Sequence, residues 1–193
     1  MLTRHPFRQS AMSNRRPSVS ENAADEVILV DADDRPVGAV AKLDAHRRGL
    51  RHRAMSVIVR DRHDRLLLQQ RAAGKYHSGG LWTNTCCGHP RPGEETIDAA
   101  GRRLAEEMGF TCPMTFLFST HYRAAVSNDL IEDEVVHVFG GRFDGTPDPD
   151  PREVADWAWK APDDVARDVD ARPDVYTVWF RKYRRQFWDA MVG

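Results

Sequence analysis

Apolar and polar positions alternate in short blocks from residue 26 onward. Val27-Ile28-Leu29-Val30 is an apolar run followed by the turn-forming Asp33-Asp34-Arg35-Pro36, which predicts a first strand. Residues 42–48 read as a short helical piece closed by Gly49. Residues 54–60 and 66–68 predict two strands, with 61–64 as the turn of a hairpin. Residues 74–92, punctuated by Gly79-Gly80, Gly88 and Pro90, predict one long loop of the kind that carries function. Beyond it Ile97, Ala100, Leu104 and Met108 recur at helical spacing. They predict an amphipathic helix over 95–108, with Gly109 as its left-handed stop. Residues 116–122 and 134–139 predict two more strands, and Trp157 and Trp159 sit at strand spacing after the proline-rich loop 147–151. Residues 174–191 predict a closing helix whose Trp179, Phe180, Tyr183, Phe187, Trp188 and Met191 form a core-packing stripe. With no repeat and no linker, the pattern predicts a single α+β domain, strands mixed with flanking helices.

Composition narrows the function classes. The chain has 193 residues, 41% of them hydrophobic, enough for a core without staples. Its 28 basic and 29 acidic side chains nearly cancel, which argues against a dedicated nucleic-acid binder. No run approaches the ~18 apolar residues of a membrane span. The cysteines are three, Cys86, Cys87 and Cys112, and two are neighbours. An odd, adjacent set implies free thiols and a reducing cytoplasm rather than a disulfide framework. Residues 1–25 carry Arg4, Arg8, Arg15 and Arg16 among serines and prolines, with no apolar segment of a secretory signal. They are expected to form a disordered tail ahead of a domain at 26–193.

The most informative stretch is Gly88, Glu94, Arg102, then Arg103-Leu104-Ala105-Glu106-Glu107-Met108-Gly109-Phe110. It resembles the Nudix box, G-x5-E-x7-R-E-U-x-E-E-x-G-U with U apolar, at every specified position but one. Arg103 stands where the box has a glutamate. On a helix Arg103 and Glu107 share a face, while Glu106 and Glu107 point about 100° apart. Clustered carboxylates beside a glycine-bearing loop suit Mg²⁺ that also grips phosphates. A hydrolase uses several box glutamates to hold metal and activate water, so Arg103 weakens that chemistry.

Outside the box, His46 and His52 flank the Gly49 turn, His89 follows the cysteine pair, and Glu132 and Glu134 are two apart on a predicted strand. Both carboxylates then project from one face. Three imidazoles and two carboxylates could form a mixed nitrogen and oxygen site for Mn²⁺, Mg²⁺ or Zn²⁺.

These residues, with Lys42-Leu43-Asp44-Ala45-His46, Leu50-Arg51-His52-Arg53-Ala54, Gln70-Arg71-Ala72, Lys75, Trp82-Thr83-Asn84-Thr85-Cys86-Cys87-Gly88-His89-Pro90, Tyr122-Arg123 and Tyr176-Thr177-Val178-Trp179-Phe180, resemble the type 1 isopentenyl-diphosphate Δ-isomerase family. Arg103 is usual in that family. The resemblance implies a Nudix fold, an α/β/α sandwich-like mixed sheet flanked by helices, with its core at about residues 50–184. It implies one divalent ion, Mn²⁺, Mg²⁺ or Zn²⁺, held by His46, His52, His89, Glu132 and Glu134, and a Mg²⁺ arriving with the substrate near Glu107. Lys42, Arg71, Lys75 and Arg103 would face the diphosphate. Cys87 and Glu134 would move protons, Tyr122 would relay or orient one, and Trp179 would stabilise a developing carbocation. Cys86 is read as packing. The order in which Cys87 and Glu134 act stays open at this level. Val178 stands where many relatives have proline, which leaves the placement of Trp179 to be established. The implied partner is isopentenyl or dimethylallyl diphosphate acting on a cytoplasmic monomer, with no nucleic acid and no membrane. Two other readings are a Nudix hydrolase of a diphosphate-linked substrate and a Nudix-like module that binds without turnover.

Overall fold

The computed structural model describes residues 26–193, and the tail expected at 1–25 lies outside them. Strands β1 (Glu26–Val30) and β2 (Pro36–Ala41) form an antiparallel hairpin that leads into helix α1 (Lys42–Arg48). Gly49 ends α1 at φ 59°, as its position predicts. There follow β3 (His52–Arg60), β4 (Leu66–Arg71), β5 (Trp82–Thr83), β6 (Cys86–Gly88) and α2 (Thr96–Met108). The long strands β7 (Met114–Ala125) and β8 (Ile131–Arg142), then β9 (Val154–Lys160), complete the sheet. Helices α3 (Pro162–Ala171), α4 (Val178–Gln186) and α5 (Trp188–Val192) close the chain.

Strand β3 organises everything else. One edge is filled along its whole length by parallel β8, from His52 opposite Glu134 to Arg60 opposite Arg142. The other edge is shared in sequence by β1, β6 and β4. Two consequences differ from the sequence expectation. The predicted hairpin of β3 and β4 pairs only at Arg60 and Leu66, because β6 takes the middle of the β3 edge and β4 turns away to pair with β9. The predicted loop 74–92 contains two short strands, too brief to show an alternation pattern.

Alternation along β3 separates two cores. Ala54 and Ile58 face one way, with Tyr122, Val136, Phe180 and Tyr183, under the C-terminal helices. Met55, Val57 and Val59 face the other way, with Leu104, Met108 and the wholly buried Cys86, under α2. The architecture is therefore the expected mixed sheet between helical layers. Cys86 packs, as expected. Ile97 does not: it is 43% exposed in the first turn of α2, and Ala99 and Ala100 take the inner face instead.

The closing helix is broken rather than continuous. A 3₁₀ turn at Pro173–Val175 precedes an extended pair, Tyr176 and Thr177. Thr177 N–H donates to the Trp82 carbonyl at 3.0 Å, and its hydroxyl donates to Thr83 at 2.9 Å. Only after this anchor does α4 begin, and Phe187, at φ −135°, separates it from α5. An aromatic stripe survives such breaks because burial, not helical phase, sets its composition.

Candidate active site

Register brings the chemistry together. Tyr122 on β7 lies opposite Glu134 on β8, and Glu134 lies opposite His52 on β3. Four residues further along β3, Ser56 lies opposite Cys87 on β6. The even spacing keeps His52 and Ser56 on one face, and Glu132 joins Glu134 there, as the two-residue spacing predicts. Ser56, Cys87, Tyr122, Glu132 and Glu134 border one cavity of about 270 Å³.

At one end is a buried cluster of imidazoles and carboxylates. One ligand atom from each of His46, His52, His89 and Glu134 lies within 4.8 Å of the others, and a second such group joins His46, His77 and Glu132. The cluster is wired for a cation. His46 Nδ1 and His52 Nδ1 each sit 2.7 Å from a backbone carbonyl, of Lys42 and Leu50. A carbonyl only accepts, so both Nδ1 atoms carry hydrogen, and in the neutral rings, the form that ligates metal, each Nε2 faces inward with a lone pair. His52 Nε2 is buried with no hydrogen-bond partner, the orphan a bound cation would satisfy. Burial works to raise the Glu134 carboxyl, but the adjoining His52, Glu132 and His46 groups prevail and hold it at about 2. Burial, joined by the charges of His52 and His46, holds His89 well below the usual 6.5. A carboxylate anion and a neutral imidazole are the forms that ligate metal. The donor set therefore fits a divalent ion.

At the other end, Cys87 Sγ lies 3.2 Å from Asn84 Oδ1 and 3.4 Å from Ser56 Oγ, which is 3.0 Å from Tyr183 Oη. Burial, opposed by the Ser56 and Asn84 hydrogen bonds, pushes the thiol up to about 11, so it stays protonated at neutral pH. Asn84 holds a second cavity side chain as well. Its Oδ1 accepts from the Trp179 indole N–H at 3.2 Å, while its Nδ2 donates to the carbonyls of Val57 and Cys86. Trp179 is 4% exposed and lines the cavity. Val178 is the first residue of α4, a position that proline and valine both occupy, so the anchored Thr177 places Trp179 without a proline.

The basic side chains border the same cavity. Arg71 is buried, donates to the His77 carbonyl at 3.1 Å and lies 5.4 Å from the Trp179 ring. Lys42 Nζ sits over the Tyr76 ring, 5.1 Å from its centre. Lys75 pairs with Glu153. Arg103 reaches the cavity from α2 across Gly88, where a Cβ would sit 3.1 Å from its Cγ. It pairs with Glu106, Glu107 and Glu153. Glu107 is not in the cavity wall. It is 4% exposed, behind Arg103, and accepts from Gln69 at 2.9 Å.

Comparison with known proteins identifies this arrangement. The NUDIX domain family matches residues 50–180. Isopentenyl-diphosphate Delta-isomerase of Burkholderia multivorans (strain ATCC 17616 / 249) is 55% identical over 156 residues, 81% of this chain and 89% of that protein. This chain belongs to the isopentenyl-diphosphate Delta-isomerase branch of the Nudix family. A second member, isopentenyl-diphosphate Delta-isomerase 2 of Aromatoleum aromaticum (strain DSM 19018 / LMG 30748 / EbN1), is 54% identical over 80% of this chain and 82% of its own length. The Nudix fold extends further: the structure of DR0079 from Deinococcus radiodurans matches with a TM-score of 0.70 at 18% identity, over 83% of this chain and 98% of that one.

Within this isomerase-branch site, sequence reasoning missed His77, Asn84, Ser56, Tyr183 and Glu153. Asn84 lies within the Trp-Thr-Asn-Thr-Cys-Cys stretch, where its contacts are not revealed by spacing. His77 lay in a segment read only as loop. Ser56 and Tyr183 read as strand and core residues, and their chemistry comes from the register of β3 with β6 and from the seat of α4.

Proposed function

We propose that this chain interconverts isopentenyl diphosphate and dimethylallyl diphosphate, as a monomer in the cytoplasm. The observation that carries the reading is the pairing, in one cavity, of a protonated thiol at Cys87 with an ionised carboxylate at Glu134. Moving the double bond requires a proton to arrive at the terminal carbon of the alkene and another to leave the carbon on the diphosphate side. One wall supplies a donor and another an acceptor: one proton passes from Cys87 to the alkene and one from the substrate carbon to Glu134, and proton exchange with water restores thiol and carboxylate before the next turnover. Tyr122 Oη donates to Glu134 Oε2 at 2.7 Å, which fixes the carboxylate and links it to a further proton. The Trp179 indole, clamped by Asn84, faces the charge that develops on the tertiary carbon, a contact worth up to about 2 kcal/mol when desolvated.

Lys42, Arg71, Lys75 and Arg103 would hold the diphosphate by charge and hydrogen bonds. A divalent ion, Mn²⁺, Mg²⁺ or Zn²⁺, would be held by His46, His52, His89, Glu132 and Glu134, and when bound it would supply positive charge that tunes the acidity of Glu134. Glu107 is the proposed partner of a Mg²⁺ carried in with the diphosphate. The hydrolase reading loses ground at Arg103, which puts a positive charge where the box has a glutamate and so removes one acid from the set a hydrolase commits to metal. Proton and phosphorus NMR of the protein with isopentenyl diphosphate and Mg²⁺ tests the proposal. The expected result is dimethylallyl diphosphate with the diphosphate intact. Release of phosphate or pyrophosphate in its place would establish the hydrolase.

A further inference from the structure

The loop between β4 and β5 delivers a histidine that neither spacing nor resemblance singles out. His77 is 3% exposed. Its Nε2 lies 2.8 Å from Glu132 Oε1, and its Nδ1 lies 3.1 Å from Ser78 Oγ. Its ring stacks on that of His46, with centres 5.6 Å apart, and meets the Trp179 ring edge-on at 6.1 Å.

The hydrogen placement separates His77 from His46 and His52. Those two rings spend their Nδ1 hydrogens on carbonyls and turn their Nε2 atoms inward, that of His52 without a partner and that of His46 3.3 Å from Tyr76 Oη. In His77 the Nε2 atom meets a carboxylate, which only accepts, so Nε2 carries the hydrogen. Nδ1 then accepts from the Ser78 hydroxyl. His89 Nε2 likewise meets Glu134 Oε1, at 2.9 Å, but in His77 both nitrogens are engaged, Nε2 by Glu132 and Nδ1 by Ser78, so the ring grips a carboxylate and is itself held from behind. Its hold on Oε1 leaves Glu132 Oε2 directed toward Tyr122 Oη, 3.4 Å away, and so toward Glu134. The His77 carbonyl meanwhile accepts from Arg71 Nη2, so the same residue braces a proposed diphosphate ligand.

We propose that His77 is a positioning residue of the cation centre, fixing Glu132 through its Nε2–H. This rests on reading the His/Glu cluster as a cation centre. Carboxylate ligands are commonly held by such outer partners, whose loss costs about 10–100-fold in metal affinity.

The test uses metal-free full-length protein titrated with Mn²⁺, with affinity read by chelator competition and the bound ion read by electron paramagnetic resonance. The parent should bind. His77→Leu should bind about 10–100-fold more weakly, with the melting temperature of the metal-free protein unchanged. His77→Gln, whose amide N–H can reach the carboxylate, should keep most of the affinity and the parent's spectrum. If His77→Leu also lowers the metal-free melting temperature, His77→Gln decides alone. Parent-like binding by His77→Leu would overturn the proposal. So would a changed Mn²⁺ spectrum in His77→Gln, which would make His77 a direct ligand. A parent protein that binds no Mn²⁺ would instead remove the cation centre itself.

Discussion

At the scale of single residues, adjacent cysteines have opposite fates because strand alternation turns them to opposite faces. Cys86 enters the core under α2 and Cys87 faces the cavity. Replacing Cys87 with alanine should abolish turnover while leaving stability close to the parent. Cys86→Ala should keep most of the activity at a stability cost of about 1 kcal/mol. Steady-state rates and melting temperatures of the two variants decide this, and an equal loss of activity would contradict the assignment of the thiol. Much of this scale was legible in the sequence. The period-two spacing placed Glu132 and Glu134 together, and the resemblance named His46, His52, His89, Tyr122 and Trp179. Asn84 and His77 were not legible, because each acts through hydrogen bonds to groups distant along the chain.

Among elements, the box helix shows how a motif can be structural and functional at once. Glu94 and Arg102 form a two-pronged pair at 2.7 and 2.8 Å, and Glu94 also accepts from the Arg91 N–H. Arg102 reaches the His89 carbonyl at 3.4 Å. This clamp ties the loop carrying His89 to α2. The Arg102 hydrogen bond outweighs the effect of burial and holds the Glu94 carboxyl below its ordinary 4.5. A depressed folded-state value contributes stability that is present above pH 4.5 and is lost as the pH falls through the lowered value. Glu94→Gln should therefore cost about 1 kcal/mol or less at neutral pH, given the partial exposure of the pair. Its deficit should shrink as the pH falls below 4.5, followed by denaturant titration at several pH values. A deficit independent of pH would mean that the carboxylate charge is not what holds the clamp. The helix itself was legible from its period and its Gly109 stop. The break before α4 was not, because Thr177 gives up its capping role to bond Thr83 on a distant strand.

For the molecule as a whole, the sheet topology divides labour. The face under the C-terminal helices carries Cys87, Tyr122 and Trp179, while α2 on the other face sends Arg103 past Gly88 into the same cavity. The layered α+β class was legible from the order of elements. The segmentation of the β3 edge, which makes room for the cavity, was not, because β5 and β6 are too short to leave a pattern. Among the described residues no helix is long and apolar enough to cross a membrane. The central claim is that this cavity adds and removes protons on carbon while the diphosphate stays whole. Incubation with isopentenyl diphosphate and Mg²⁺ in D₂O, followed by NMR and mass spectrometry, tests it most directly. The account predicts carbon-bound deuterium in both isopentenyl and dimethylallyl diphosphate, because the reaction runs in both directions, and none with Glu134→Gln. Release of phosphate without deuterium on carbon, or exchange that persists undiminished in Glu134→Gln, would contradict it.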